Sequence, residues 1–117
     1  MRKTDIWVTH SYGYFEIRFS KVFDLPCPPF LGLIITDSTG DNELDVELVN
    51  NDYTSTRIYY HANKNEFEVN VRHRWRDAIT DDAIDCTIRN FTLAGWQRQD
   101  QNDIPALKEA MKRVINQ

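Results

Sequence analysis

Three histidines, two cysteines and eighteen acidic residues are the groups from which this 117-residue chain would build a metal site or an acid–base centre. Their spacing builds neither. Cys27 and Cys86 belong to no CxxC pair, which leaves no zinc ribbon and no dithiol redox motif. Asp37, Thr39, Asp41 and Glu43 resemble a calcium loop, but a loop starting at Asp37 needs glycine at its sixth position and glutamate at its twelfth, where this chain has Asn42 and Leu48. There is no Walker A run, no dinucleotide-binding glycine fingerprint, no G-x-S-x-G elbow and no HExxH. The sequence assigns no catalytic residue, no metal ligand and no cofactor, and it leans away from an enzyme.

Arg72-His73-Arg74-Trp75-Arg76 mixes guanidinium groups with aromatic rings, a combination that serves phosphates and base stacking. Alternation along a strand puts His73 and Trp75 on the side of Val69 and Val71 and turns the arginines outward, so core aromatics with solvated arginines is the favoured reading. A net charge of -4 also argues against nucleic acid and anionic lipid as partners. Charge is nonetheless segregated along the chain. No Lys or Arg lies between Lys21 and Arg57, while Asp24, Asp37, Asp41, Glu43, Asp45, Glu47 and Asp52 do; Arg57, Lys64, Arg72, Arg74 and Arg76 follow.

The elements that must position these groups follow from hydrophobic period. Ile6, Val8 and, after a Tyr12-Gly13 turn, Phe15, Ile17 and Phe19 alternate with polar residues, which predicts a hairpin pairing Val8 with Ile17 and Trp7 with Arg18. His10 is expected opposite Phe15, as a satisfied or partly exposed histidine at a barrel end. Pro26, Pro28 and Pro29 make an extended connector. Phe30 to Thr36 reads as a strand covered on both faces. Leu44, Val46 and Leu48 alternate with acids, and a turn at 51–53 leads to Ile58, Tyr60 and Ala62, which return through Phe67, Val69 and Val71. Residues 77–83 form a polar connection. Ile84 to Leu93 reads as a strand bulged near Arg89-Asn90, with Cys86 a buried thiol. Asp103 as cap, Pro105 in the first turn and the Leu107, Met111, Val114 stripe predict a C-terminal helix over about 104–116.

These elements make one α+β, mainly β domain over 1–117. About seven strands (about 5–93) form a curved antiparallel sheet or partly open barrel packed by one amphipathic helix. At this length folding buries roughly two-thirds of the surface that the unfolded chain exposes. No apolar run approaches the ~20 residues of a membrane span. Asp5, His10, Glu16 and Arg18 interrupt the first twenty residues, so a cytoplasmic location is expected.

With those registers, the outer face carries three rows: Glu43-His61-Glu68, Asp45-Tyr59-Asn70 and Glu47-Arg57-Arg72. Such rows serve a solvated sheet as charge pairs of roughly 0.2 to 1 kcal/mol each. They also serve a partner, with Tyr59 as amphipathic anchor beside Arg57, His61, Arg72 and Arg74, and Trp7 and Arg18 as a second contact. The reading is a small non-catalytic protein-binding module of inhibitor, immunity or phage-modulator type. The alternatives are a half-barrel holding a small apolar ligand among Phe15, Phe19, Phe30, Tyr60, Phe67 and Trp75, and a weak nucleic-acid binder through Arg72, Arg74 and Arg76.

Unpaired cysteines in a chain read as cytoplasmic should stay reduced. Thiol titration of the denatured, non-reduced protein is expected to find two free thiols; finding none would mean that the compartment is oxidising.

Overall fold

The computed structural model describes residues 2–13, 15–75, 80–100 and 102–115, with side chains in the last helix described as far as Glu109 and at Lys112. Two long hairpins make its frame. β1 (Arg2–Tyr12) pairs antiparallel with β2 (Phe15–Leu25), and β5 (Thr54–His61) with β6 (Glu66–Arg74). Between them in sequence, β3 (Ile34–Thr36) and β4 (Asp45–Glu47) form a separate two-stranded sheet. Helix α1 (Asp81–Leu93), the short β7 (Gln97–Arg98) and helix α2 (Ile104–Ile115) complete the chain.

The hairpins join through β1 and β6, which run parallel, so the main sheet is mixed: five strands in the order β5-β6-β1-β2-β7. The expected all-antiparallel sheet is thereby corrected, and the sheet does not close into a barrel. A parallel pair needs a long crossover. The chain makes one through β3 and β4 and a second through α1, and both pack on the same face. There Ile6, Val8, Ile17, Phe19, Val69 and Val71 of the main sheet meet Ile35, Leu44, Val46 and Leu48 of the first crossover and Ile84 and Phe91 of the second. Phe19 and Phe91 stack with centroids 4.6 Å apart, and Trp96 meets Phe91 edge-on at 5.2 Å.

Both hairpin registers lie two residues from the expected ones. Val8 pairs with Phe19 and His10 with Ile17; Ile58 pairs with Val69 and Tyr60 with Phe67. The shifts arise at the reversals. Tyr12 pairs with Phe15, Gly13 taking a φ of 59° between them. His61 already pairs with Glu66, leaving a four-residue turn that closes on Asn65 in the left-handed region. A shift of two preserves which side chains share a face.

Residues 84–93 are helix, not bulged strand. Thr80 caps it by accepting from the Ala83 N–H at 3.1 Å, and Asp81 and Asp82 stand in the first turn, where they complement the helix dipole. Ile84, Ile88 and Phe91, spaced four and three, are its core-facing stripe; what reads as a bulge is this 3.6-residue period. Cys86, expected buried, is exposed on the opposite side, and Cys27 is exposed as well. Phe30 to Thr36 is likewise no central strand. Only Ile34–Thr36 is extended, and Phe30, Leu31 and Ile34 are each more than half exposed.

One charged group ties the layers. Lys21, on the covered face of β2, donates from Nζ to Asp37 Oδ2 at 2.8 Å and to the Ala94 carbonyl at 2.6 Å, and Trp96 Nε1 donates to the same carboxylate oxygen at 2.9 Å. Helix α1 has no basic residue in its last turn. Lys21 supplies from the sheet the cation that this helix end favours.

The tail helix is capped as expected, Ala106 N–H donating to Asp103 Oδ1. Leu107 is 3% exposed in the core, and Lys108 and Lys112 pair with Asp85 and Asp81 of α1. Met111 and Val114 of the predicted stripe lie outside the described side chains. Leu107→Ala is expected to lower unfolding free energy by about 2–5 kcal/mol in urea titration, the range for a buried leucine; an unchanged midpoint would show that α2 is not docked.

Candidate functional site

Because both crossovers use one face, the other face of the main sheet is left without a covering layer. The pairing registers place its side chains in rows across β5, β6, β1 and β2. Tyr59, Glu68, Asp5 and Val22 form one row; Arg57, Asn70, Trp7 and Ser20 the next; Ser55, Arg72, Thr9 and Arg18 the third. His61, Glu66, Lys3 and Asp24 flank the first row, and Arg74, Ser11 and Glu16 the last. All seven expected contact residues, Arg57, Tyr59, His61, Arg72, Arg74, Trp7 and Arg18, therefore lie on one face, with Trp7 near its middle instead of in a second patch.

The expected rows with β4 do not form. Asp45–Glu47 pairs with Ile34–Thr36, so Glu43, Asp45 and Glu47 are not neighbours of His61, Tyr59 and Arg57. Asn51 decides this locally. Its side-chain oxygen accepts from the N–H groups of Tyr53 and Thr54 at 2.9 and 2.8 Å, an Asx-type turn that sends the chain from the small sheet into the main one. Of the Glu43-His61-Glu68 row only a diagonal His61–Glu68 pair at 3.6 Å survives. No grouping of three or more His, Cys, Asp or Glu with metal-binding geometry occurs among the described residues.

The face is electrically bipolar. Glu66, Glu68, Asp5 and Asp24 gather at the Tyr59 end; Arg57, Arg72, Arg74 and Arg18 gather at the other, with Trp7 between. Trp7 Nε1 donates to Asp5 Oδ2 at 3.0 Å, which fixes the indole on the acidic side. Arg72 reaches across β1 to Glu16 at 2.6 Å, and Arg74 donates to the Asp52 carbonyl at 2.8 Å. Arg57 and Arg18 have exposed side chains with no ion pair among the described residues. Arg76, the third arginine of the nucleic-acid reading, lies outside the described residues.

The covered face holds a feature that sequence reasoning missed. Between the two crossovers opens a cleft of about 370 Å³, floored by Val8, Val71 and Phe91 and walled by β4 and α1. His10 and His73 border it, ring centroids 5.8 Å apart, and none of the six aromatics expected to line a barrel interior does. His10 is partly exposed as a residue, but it lies at no barrel end and its ring nitrogens are buried. It stacks on Trp75 at 5.3 Å with Phe91 edge-on at 5.4 Å, and both ring nitrogens are shut off without a hydrogen-bond partner among the described residues. Burial, reinforced by His73, holds its pKa down at about 3, and burial also lowers that of His73. Both rings are neutral at physiological pH. The available signal was that both histidines fall on the apolar side of their strands.

A histidine buried neutral stabilises the fold fully only above its unfolded pKa of about 6.5. As pH falls below that value the unfolded chain takes up a proton that the folded one refuses, so stability drops by up to about 1.4 kcal/mol per pH unit until the folded pKa is reached. His10→Phe removes both unpartnered nitrogens at similar size. It should match or exceed wild-type stability near neutrality and lose less between pH 6.5 and 4, read as urea midpoints across that range. Parallel pH profiles for the two proteins would show that His10 ionises freely in the fold.

Comparison with protein-family models, with curated proteins and with solved structures finds no match to this chain.

Proposed function

We propose that this protein is a small non-catalytic binding module that engages another protein through the uncovered face of its main sheet. The observation that carries the reading is the gathering of Trp7, Tyr59 and four arginines on one face that neither crossover covers. A half-buried indole with exposed phenol and guanidinium groups makes up the side-chain set on which binding energy concentrates at interfaces. A bipolar face also orients its partner, since a reversed approach sets like charges against each other. The complementary surface presents carboxylates to Arg57, Arg72, Arg74 and Arg18 and basic groups to Glu66, Glu68 and Asp5. Size, negative net charge and absence of a catalytic motif suit an inhibitor, an immunity factor or a phage-encoded modulator working in the cytoplasm.

The acidic half of the face weighs against nucleic acid as the partner, since it would repel a phosphate backbone. A polar sheet face with charge pairs also describes an ordinary solvated surface, and substitution separates the two. Tyr59→Ala with Arg72→Glu should keep the wild-type fold by circular dichroism while weakening a partner recovered by affinity capture by more than about tenfold, measured by surface plasmon resonance. Full affinity in that folded double variant would move the site off this face.

A further inference from the structure

The cleft between the crossovers has a chemistry of its own, separate from the outer face. Both histidines that border it are neutral; the ring nitrogens of His10 are shut off, and His73 is the ring that offers the cleft a nitrogen. The Nδ1 of His73 lies 3.1 Å from Thr54 Oγ1, which leaves Nε2 without a partner among the described residues. Across the opening, Asp45 and Glu47 of β4 border the same space, and neither has an ion pair among the described residues. Asn90 of α1 also borders it, and no Lys or Arg among the described residues lines the cleft. Among the described residues the bordering charge is therefore negative, above an apolar floor.

His10, which also borders the cleft, has an imidazole without a hydrogen-bond partner among the described residues, a feature that packing alone does not explain. Leaving a buried donor and acceptor unmade is costly, and a phenylalanine would fill the same space among Trp75, Phe19 and Phe91 without that penalty. The volume is at the small end of what ligand sites use, and the mix of an apolar floor with a few convergent polar groups is their usual make-up.

We propose that this cleft binds a small organic cation, an amine or guanidine on a short apolar body. Its charged end lies against Asp45 and Glu47, its N–H groups donate to His73 Nε2 in the tautomer whose Nδ1–H donates to Thr54 Oγ1, and its body rests on Val8, Val71 and Phe91. An anion of the same size meets two carboxylates and no compensating cation, so the site discriminates by charge. Neutral imidazoles suit this role, since a protonated pair would repel the ligand.

Benzylamine, benzyl alcohol and benzoate share a body and differ in charge, and titrating each into the nitrogen-labelled protein at pH 7.5 reads the site directly. Benzylamine should give saturable shifts at Val71, His73 and Phe91, with benzyl alcohol weaker and benzoate inert. Asp45→Asn with Glu47→Gln, at exposed positions with little bearing on folding, should weaken benzylamine by about tenfold or more while the rest of the spectrum is retained. Glu47→Gln alone serves if the double variant loses its dispersed spectrum. Benzoate binding as tightly as benzylamine, no saturation by the amine at tens of millimolar, or an unchanged affinity in the folded variant would each overturn the proposal.

Discussion

Both long connections of this chain cross the same face of one sheet, and the rest of the molecule's arrangement depends on that. The parallel pairing of β1 with β6 demands a crossover, which residues 26–53 provide; returning from β6 to the far edge at β7 demands a second, which α1 provides. Laid side by side, the two supply the apolar surface that buries Ile6, Val8, Ile17, Phe19, Val69 and Val71. The same choice leaves the opposite face to solvent, where Trp7 and the arginines lie. It also leaves a seam between the crossovers, and the cleft is that seam.

A seam between two independently connected layers must be pinned, and the pin is Lys21. Its ammonium meets Asp37 at the end of β3 and the terminal carbonyl region of α1 at Ala94, while Trp96 donates to the same aspartate. A cation on the covered face of a sheet is expensive to desolvate unless fully paired. Here one carboxylate, one carbonyl and the face of Phe23 at 5.3 Å share that task. Asn42 adds a second tie, donating to the Asn90 carbonyl at 3.1 Å. These contacts lie to one side of the cleft and hold its β4 and α1 walls apart at a set spacing.

How much of this was legible in the sequence divides by the range of the interaction. Face assignments survive even where registers do not, because a two-residue slip at the Gly13 and Asn65 reversals returns every side chain to its own side; Tyr59, Arg57 and Arg72 stay outward for that reason. Helix α2 is legible because its cap, Asp103, and its buried Leu107 are local. Helix α1 was legible too, through Thr80 and the Ile84, Ile88, Phe91 spacing, but Ile84, Cys86 and Ile88 also alternate, and over so short a run the two periods compete. What no local pattern carries is the partner of each strand. Nothing in residues 2–12 marks them for parallel pairing with 66–74, and nothing in Asp45–Glu47 favours β3 over β5 until Asn51 is seen turning the chain away.

The two surfaces differ in the physical argument that supports them. On the outer face every group is solvated or paired, so the fold loses little by keeping it polar, and its interest comes from which side chains gather there. On the inner side there is a penalty: His10 sits in an aromatic cage with both nitrogens unmet among the described residues, where an apolar ring would serve packing better. Neutrality is the property that burial gives it, reinforced by His73, and burial lowers the pKa of His73 as well. A pair of neutral imidazoles thus borders the same cleft as the Asp45 and Glu47 carboxylates. That arrangement follows from placing both histidines on the inward side of two adjacent parallel strands at matched positions, His10 beside His73.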